Sequence, residues 1–448
     1  MLFFRVLRDF SQYPLNGLNG ENFRNYNWTL VLAPWSQTLH WRRQNSSLYH
    51  AQPWSTFFNV ESLNLFIPVI EYDEFLQQGA VSLDNIAARS AKKLLLDAAF
   101  VVKQFDLAQT QNKVRLEAPK VVSDANGYAH FMCEDDQIIS NIIRTPDNVT
   151  YVYIDTETNE SPLVANVLQC LHGVLHAVEL ASVLSRYIEE HPELTFIYIG
   201  EAENLISGVW SEWSQQYWTA RRSMEFARRL TILGDSFRRA VLNSEDDEDR
   251  TVAPSSWLYQ PWPRSPARGG PYLGLHWRRG DFPHSPSPLT VATQTLQAIQ
   301  LRAEEVRLPN GQILPIFLAT DADPEDITQL EQLLSPHKVY RFTPEVSKGG
   351  SLLPGELAII DQWICAHARL FVGSVPSTFT FRIAEEREIM NFPAALTFNS
   401  LCPIEGADVV MLENRGMSSE CEGLTPWSIV LEPRYTINTS MTLVKTEL

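Results

Sequence analysis

The sequence predicts an α/β protein whose second half is Rossmann-like. After residue 270, strand-like and helix-like segments alternate, which is the pattern of βαβ units with a parallel sheet. The chain has 448 residues, enough for two or three domains at roughly 150 residues each. A segment at 243–270, rich in Pro, Gly and acidic residues, separates the halves. We therefore place an N-terminal domain at 1–242 and a C-terminal domain at 243–448.

The first half is less regular than the second. Buried strands are predicted at Trp28–Leu32, Ile67–Tyr72 and Thr195–Ile199. Long apolar stretches indicate helices at three places: Ser82–Val102, Ala165–Glu190 and Met224–Leu242. The acidic run Glu245–Asp249 that follows is predicted to be a solvated loop between the domains.

The second half supplies the alternating pattern. Four strands are predicted at Tyr272–His276, Ile313–Thr320, Lys338–Phe342 and Leu370–Val372. Four helices are predicted at Thr290–Arg307, Pro324–Leu334, Glu356–Arg369 and Ser377–Glu388. In the first of these helices, Leu296, Ile299 and Val306 share one side, as expected of a helix lying on a sheet.

Charge and the absence of common motifs exclude several classes. The chain has 53 acidic and 36 basic residues and a net charge of −17, so we expect no general attraction to nucleic acid or anionic membranes. The weakly charged run Ala165–Leu184 contains Glu179 and two histidines, so no membrane span is expected. Phosphate-loop, dinucleotide, Gly-x-Ser-x-Gly and zinc-spacing motifs are absent from the sequence.

The first candidate site is Leu275–Phe282, where a predicted strand ends. Ligands of open α/β sheets bind outside the carboxyl ends of strands. His276 and Arg278 point to the same side of the strand, and a guanidinium there could hold a diphosphate. The alternative is an Arg278–Arg279 pair on an exposed rim, partnered by Asp281.

Two further candidates lie near the second strand end. Ser377 and Thr378 begin a helix after small residues, which creates an anion site, although plain N-capping by Ser377 would also explain them. Asp361, inside an apolar helix, is either a paired structural carboxylate or an acceptor for a purine. Of Glu385 and Glu386 at most one can face the same crevice, because adjacent helical residues diverge. Together these residues indicate a nucleotide- or nucleotide-sugar-binding half without a metal.

The same segments resemble the protein O-fucosyltransferases, most closely those that act on thrombospondin type 1 repeats. The similarity extends over nearly the whole chain and includes Trp28–Trp35, Pro53–Tyr72, Tyr217–Phe226, Gly269–Phe282, Phe317–Ala322 and Ile359–Arg387. The resemblance implies a GT-B fold, with two Rossmann-like domains facing a central cleft that holds GDP-fucose. It also implies inverting transfer of fucose to Ser or Thr of a folded repeat.

The resemblance also implies roles for individual residues. GDP-fucose contacts fall on His276, Arg278, Asp361, Ser377, Thr378 and Phe379. Arg278 would neutralise the diphosphate leaving group, so no metal or further cofactor is expected. Asp361 would recognise the guanine by hydrogen bonding. Glu386 matches a carboxylate that the family needs for activity. The family disulfides fall on Cys133–Cys170 and Cys402–Cys421, leaving Cys365 as a buried thiol.

The N-terminus departs from the family. The family's Glu-Gly-Phe-Asn-x-Arg-Arg-Asp segment carries the presumed base for the acceptor hydroxyl. Phe4, Arg8 and Asp9 fit its end, but Leu2 and Phe3 occupy the Glu and Gly positions. Glu21 lies too close to the Trp28 strand to replace that base. We expect that the true start, with a signal peptide and the base, is missing.

The expected location is the lumen of the endoplasmic reticulum. The chain ends in Lys445-Thr446-Glu447-Leu448, which is similar to a KDEL retrieval signal. Glycosylation sequons stand at Asn27, Asn45, Asn148, Asn159 and Asn438.

Two alternative functions are compatible with the sequence. The missing glutamate would suit a catalytically inactive protein that binds GDP-fucose or a folded client in quality control. A sibling enzyme acting on epidermal-growth-factor-like repeats is the other, but the Pro53–Tyr72 and Ile359–Arg387 segments fit it less well.

Overall fold

The computed structural model describes part of the chain. The described residues are 29–32, 35, 52–71, 74, 94–102, 115–117, 120–123, 129–133, 137–144, 150–154, 163–172, 197–200, 220–254, 256–259, 265–280, 285–344, 352–374 and 377–401. For the strands between 94 and 200, the backbone pairing is described.

The chain divides into two compact units. Unit 1 comprises Met1–Trp54 and Leu63–Met224, and unit 2 comprises Ser55–Ser62 and Glu225–Leu448. The division therefore places a short early segment, Ser55–Ser62, with the second half of the chain. The predicted domain boundary at 242/243 stays a prediction.

Unit 1 contains two parallel-paired regions. Strands β1 (Leu30–Leu32) and β2 (Val69–Glu71) pair in parallel, and helix α1 (Val60–Phe66), which begins in unit 2 and ends in unit 1, precedes β2. A larger sheet contains β3 to β10, at Leu94–Val102, Arg115–Glu117, Lys120–Ser123, Ala129–Cys133, Gln137–Arg144, Thr150–Ile154, Leu163–His172 and Ile197–Gly200. Its order is β10-β3-β9-β8-β7-β6-β5, with β4 also paired to β9. Strands β10, β3 and β9 are parallel to one another, and the other pairs are antiparallel.

Two helix predictions in unit 1 are wrong in part. Leu94–Val102, predicted as the end of a helix, is strand β3, and Leu163–His172, which overlaps the predicted helix Ala165–Glu190, is strand β9. Both are apolar runs of about the length that a strand or a buried helix can use equally well, so periodicity does not separate the two. Here β3 has two parallel neighbours and β9 has one, and continuous apolar runs are typical of parallel strands. The remainder of both predicted helices lies outside the described residues.

The strand order bears on one predicted disulfide. Cys133 lies in β6 and Cys170 in β9, with β7 and β8 between them. Neighbouring strands are about 4.8 Å apart, and disulfide-bonded Cα atoms are at most about 6.8 Å apart. This sheet therefore lends the Cys133–Cys170 bridge no support, and the bridge stays a prediction. Cys402 and Cys421 lie outside the described residues.

Unit 2 contains a parallel sheet of Rossmann type, which confirms the predicted α/β class. Its strands are β11 (Gly270–Trp277), β12 (Ile316–Thr320), β13 (Val339–Tyr340), β14 (Ala368–Ser374) and β15 (Thr397–Leu401). All neighbours are parallel, in the order β13-β12-β11-β14-β15. Counted along the chain this is 3-2-1-4-5, so the strand order reverses between β11 and β14. That switch point is where such sheets bind ligands.

Helices cover both faces of this sheet. They are α2 (Arg228–Leu242), α3 (Asp246–Asp249), α4 (Pro288–Leu301), α5 (Ala303–Val306), α6 (Pro324–Leu333), α7 (Pro354–Ala366) and α8 (Thr378–Ile389). One face buries Leu273, Leu275 and Trp277 of β11 in an apolar core. The other face packs against α7, and Gly274 permits this because a Cβ there would lie 3.0 Å from the Cys365 carbonyl oxygen. In the described residues, no helix is both long and apolar enough to cross a membrane.

The prediction of a solvated loop for the acidic run is wrong in part, because Glu245, Asp247 and Glu248 are exposed whereas Asp249 is buried. The run forms α3 and supplies partners for the buried Arg238 of α2. Arg238 donates to Asp235 at 2.6 Å, to Asp246 at 2.7 Å and to Ser244 at 2.9 Å, and Ser244 donates to Asp249 at 2.6 Å. A guanidinium that is 1% exposed requires such anions, since an unpaired buried charge is very costly.

Candidate functional site

Ser374 joins the two strands that end at the switch point. Its Oγ donates to the carbonyl oxygen of His276 at 3.0 Å and accepts the backbone N–H of Arg278 at 2.9 Å. Ser374 is 3% exposed, so both hydrogen bonds are shielded from water. The serine therefore fixes the direction in which the chain leaves β11 at Arg278.

His276 is held from two sides by the first turn of α8. Its Nδ1 lies 2.7 Å from Oγ1 of Thr380, and its ring stacks on Phe379 with centroids 4.2 Å apart. Burial, with a smaller contribution from Arg278, lowers the pKa of His276 to about 3. The imidazole is therefore neutral at physiological pH, and it can donate a hydrogen bond from its one protonated ring nitrogen while it remains uncharged. Gly373 is required here, because a Cβ at that position would collide with Thr380.

The neighbouring arginines have different surroundings. Arg279 Nε donates to Asp326 at 2.8 Å, and its backbone N–H donates to Asp321 at 2.7 Å. The sequence left open that these arginines are simply paired with an acidic residue. This is the case for Arg279, whose partners are Asp321 and Asp326. Asp281, the partner that the sequence suggested, lies outside the described residues. Arg278 is partly exposed just beyond the end of β11, where a guanidinium can meet an anion.

The N-terminus of α8 offers further polar groups. Ser377 occupies the N-cap position with φ −141° and ψ 121°, yet its side chain accepts no capping hydrogen bond. Its Oγ is buried and has no hydrogen-bond partner in the described part of the chain. Plain N-capping therefore does not explain this serine. Backbone N–H groups and the positive end of a twelve-residue helix favour an anion at this position.

Asp361 lies on α7 with its side chain partly exposed. Among the described residues, no hydrogen bond or ion pair engages its carboxylate, so the structure does not supply the partner that a structural role would need. Although the residue is partly exposed, the surrounding structure removes much of the hydration of its carboxyl and raises the pKa of Asp361 to about 8, while Arg341 acts in the opposite direction. Cys365, one turn later, is a buried free thiol, as predicted.

The three charged residues near the end of α8 differ in environment. Glu386 is 8% exposed and pairs with Arg382 Nη2 at 2.9 Å, and Glu385 is partly exposed. Arg387 is turned into the core, where it donates to the carbonyl oxygens of Ala366 and Leu396 at 3.1 and 2.9 Å. Arg387 therefore stabilises the sheet edge rather than a ligand.

The structure brings most of the predicted residues to the switch point. His276, Arg278 and the start of α8 meet at the ends of β11 and β14, and Asp361 and Glu386 lie on α7 and α8, which pack together. Ser374 lies in the segment that sequence reasoning singled out before α8, but its link to β11 was not foreseen. Sequence reasoning missed Thr380 and Arg382. The signal for Arg382 was its i, i+4 spacing to Glu386, whereas Thr380 acts between a helix and a strand. Leu2, Phe3 and Glu21 lie outside the described residues.

Taken together, these groups define an α/β protein with a candidate anion site at the switch point of a parallel sheet. The family model of GDP-fucose protein O-fucosyltransferase matches residues 22–390. The chain therefore belongs to the GDP-fucose protein O-fucosyltransferase family, and it is a glycosyltransferase. This confirms the resemblance stated from the sequence.

Several relatives are similar over most of their length. GDP-fucose protein O-fucosyltransferase 2 of Caenorhabditis elegans is 33% identical over 403 residues, covering 89% of this chain and 84% of the relative. The Homo sapiens protein of the same name is 31% identical, covering 84% of this chain and 78% of the relative. The Drosophila melanogaster protein is 31% identical, covering 84% and 72%. Among solved structures, POFUT1 in complex with GDP-fucose has a TM-score of 0.44 at 14% identity, covering 83% of this chain and 88% of that chain.

Proposed function

We propose that this protein transfers fucose from GDP-fucose, with inversion at the anomeric carbon, to a Ser or Thr hydroxyl of folded thrombospondin type 1 repeats. The observation that carries the proposal is the arrangement at the switch point: Arg278 fixed by Ser374, a neutral His276, and the N-terminus of α8. The relatives named GDP-fucose protein O-fucosyltransferase 2 support the donor, and the resemblance of the sequence segments supports the repeat as acceptor.

In this reaction the bond between the anomeric carbon and the β-phosphate oxygen breaks as the acceptor oxygen attacks from the opposite face. Negative charge builds on the departing diphosphate. The guanidinium of Arg278 and the N–H groups at Ser377 and Thr378 would stabilise that charge in the transition state. They supply positive charge without a metal, so the proposal includes no metal or further cofactor.

The other site residues would bind and orient the donor. His276 would donate one N–H to a phosphate, and its low pKa keeps that donor neutral. Asp361 would accept the two N–H groups on the Watson–Crick edge of guanine, which requires the ionised carboxylate. Phe379 would pack beside the donor, and Glu386 would orient it or the acceptor. A base must take the proton of the acceptor hydroxyl, and the family resemblance assigns that role to the N-terminal segment.

The remaining expectations belong to this proposal. The GT-B arrangement, the two disulfides and the lumen of the endoplasmic reticulum follow from the family resemblance and from the Lys445–Leu448 tail, and they stay predictions.

The test is a transfer assay with purified protein, GDP-fucose and two folded acceptors, a thrombospondin type 1 repeat and an epidermal-growth-factor-like repeat. We expect one deoxyhexose on the thrombospondin repeat, detected by mass spectrometry, and none on the other. Arg278→Ala should abolish transfer, whereas Arg307→Ala, which removes an exposed arginine paired with Glu304, should not. Transfer to the other repeat alone would assign the sibling activity.

One observation favours a second function. Leu2 and Phe3 stand where the family has Glu and Gly, so a protein that binds GDP-fucose without turnover is the competing proposal. Calorimetry distinguishes the two: nucleotide binding with no transfer, even after a Glu-Gly-Phe-Asn segment is restored at the N-terminus, would establish the binding protein.

A further inference from the structure

An early segment of the chain completes unit 2 beside Glu386. Within Ser55–Ser62, Phe58 pairs with Phe226 through a single antiparallel β-bridge. The backbone N–H of Asn59 donates to Glu225 at 2.9 Å, and that of Ala227 donates to Phe57 at 2.9 Å. The Asn59 side chain also donates to the Glu225 carboxylate at 3.0 Å. More than 160 residues of sequence separate the two sides of this bridge.

The bridge places two aromatic rings beside one arginine, Arg382. The rings of Phe58 and Phe226 lie 5.8 Å apart between centroids. The guanidinium carbon of Arg382 lies 4.4 Å from the Phe226 centroid and 6.0 Å from the Phe58 centroid. A guanidinium is attracted to the face of an aromatic ring, and the attraction is stronger away from water. Arg382 is 3% exposed, so this contact restricts its side chain strongly.

The same guanidinium holds Glu386. Its Nη2 lies 2.9 Å from Oε1 of Glu386, one helical turn further along α8. Glu225 adds a second carboxylate nearby: burial raises the pKa of Glu225, and the charge of Glu386 adds to that shift, while the hydrogen bond from Asn59 opposes it. Two neighbouring carboxylates repel each other, so a fixed cation is needed if Glu386 is to keep one orientation.

We propose that Phe58, Phe226 and Arg382 form an aromatic clamp that positions the Glu386 carboxylate for glycosyl transfer. The inference rests on the proposed function, since it assigns Arg382 as a positioning residue of that reaction. The clamp also gives the Pro53–Tyr72 motif a role: Phe58 of this motif lies against the helix that carries Glu386. A misplaced catalytic or orienting group typically lowers the rate far more than it lowers substrate affinity.

The test compares wild type with Arg382→Met, a variant that keeps the aliphatic part of the side chain and removes the planar guanidinium group. We expect kcat to fall about 10- to 100-fold, while the KM for GDP-fucose and the Kd for GDP stay within about twofold. The double variant with Glu386→Gln should be no slower than the slower single variant, because the two residues act as one unit. Arg382→Lys, which keeps the charge but not the planar fork, should restore only part of kcat.

A second variant guards against simple misfolding. Phe226→Leu keeps apolar volume and removes the ring face, and we expect an intermediate loss of kcat with unchanged GDP affinity. Phe237→Leu is the matched control, since Phe237 packs on Phe317 and Phe342 instead, and it should keep wild-type kcat. An unchanged kcat in Arg382→Met, additive losses in the double variant, or an equal loss in both Phe→Leu variants would overturn the clamp. A wild-type protein that binds GDP but transfers no fucose would instead overturn the proposed function.

Discussion

The hydroxyl of Thr380 lies 2.7 Å from Nδ1 of His276, so a residue in the first turn of a helix decides which imidazole nitrogen faces outward. Because His276 is neutral, one ring nitrogen carries the proton. If the threonine hydroxyl donates to Nδ1, the proton is on Nε2, which can then donate to a phosphate.

Thr380→Val should therefore weaken binding of GDP-fucose by about tenfold, the order of one lost hydrogen bond, measured by calorimetry. Thr380→Ser keeps the hydroxyl and should bind as wild type does. Thr328→Val, at a threonine that bonds only within its own exposed helix, is the matched control. Equal affinities for Thr380→Val and wild type would show that Thr380 does not orient the imidazole.

Ser374→Ala removes the hydroxyl that links β11 and β14. The carbonyl of His276 and the N–H of Arg278 lose their partner in a buried place, and we expect the free energy of unfolding to fall by about 1–3 kcal/mol. Urea titration measures the loss. Ser236→Ala, which deletes an exposed intrahelical bond, should cost much less. Equal losses of unfolding free energy in both variants would show that the hydrogen bonds of Ser374 between β11 and β14 contribute no more than an exposed bond within a helix.

Nucleotide affinity should depend on the ionisation of Asp361. With a pKa of about 8 in the free protein, its carboxylate is mostly protonated at pH 7 and cannot accept both guanine N–H groups. The ratio of GDP affinities, wild type over Asp361→Asn, should rise up to about tenfold per pH unit until pH 8 and then level off. Calorimetry between pH 6 and 9 checks this, since the titration of GDP itself cancels in the ratio.

The raised pKa of Asp361 should also make the free energy of unfolding depend on pH. The pKa of this carboxyl is raised in the folded protein above the unfolded value of 3.8, so folding favours the protonated form. The contribution of Asp361 to folding stability is complete below about pH 4, where the carboxyl is protonated in both states. It is lost as the pH rises toward 8. Without nucleotide, Asp361→Asn should therefore gain stability relative to wild type over that range in urea titrations. A difference that stays constant with pH would contradict the raised pKa.

Arg238→Met should strongly destabilise unit 2. It leaves Asp246, Asp235 and Asp249 without the cation that they surround, and breaking a buried ionic cluster from one side costs about 3–5 kcal/mol. Arg239→Met, at the exposed neighbouring position of the same helix, is the control and should change the free energy of unfolding little. If both variants unfold alike, the acidic run is the solvated loop that the sequence suggested.

The sequence predicted the elements whose pattern is local. Four of the five strands and the main helices of the unit 2 sheet follow from alternating apolar segments, and His276 and Arg278 follow from the rule that ligands lie at strand ends. Strand β15 (TFNSL) was missed because its polar residues interrupt the apolar run. The sequence did not supply two features that depend on tertiary packing: Arg238 is buried and holds the acidic run through Asp246, and Phe58 contacts Arg382 from far along the chain.

The placement of Ser55–Ser62 in unit 2 limits how this protein can be divided or recombined. The backbone passes from one unit to the other three times, at 54/55, 62/63 and 224/225. A fragment that begins at Glu225 would lack one side of the Phe58–Phe226 bridge, and a fragment that begins at Asn243 would also lack helix α2. A genetic exchange with a single crossover therefore cannot transfer unit 2 intact.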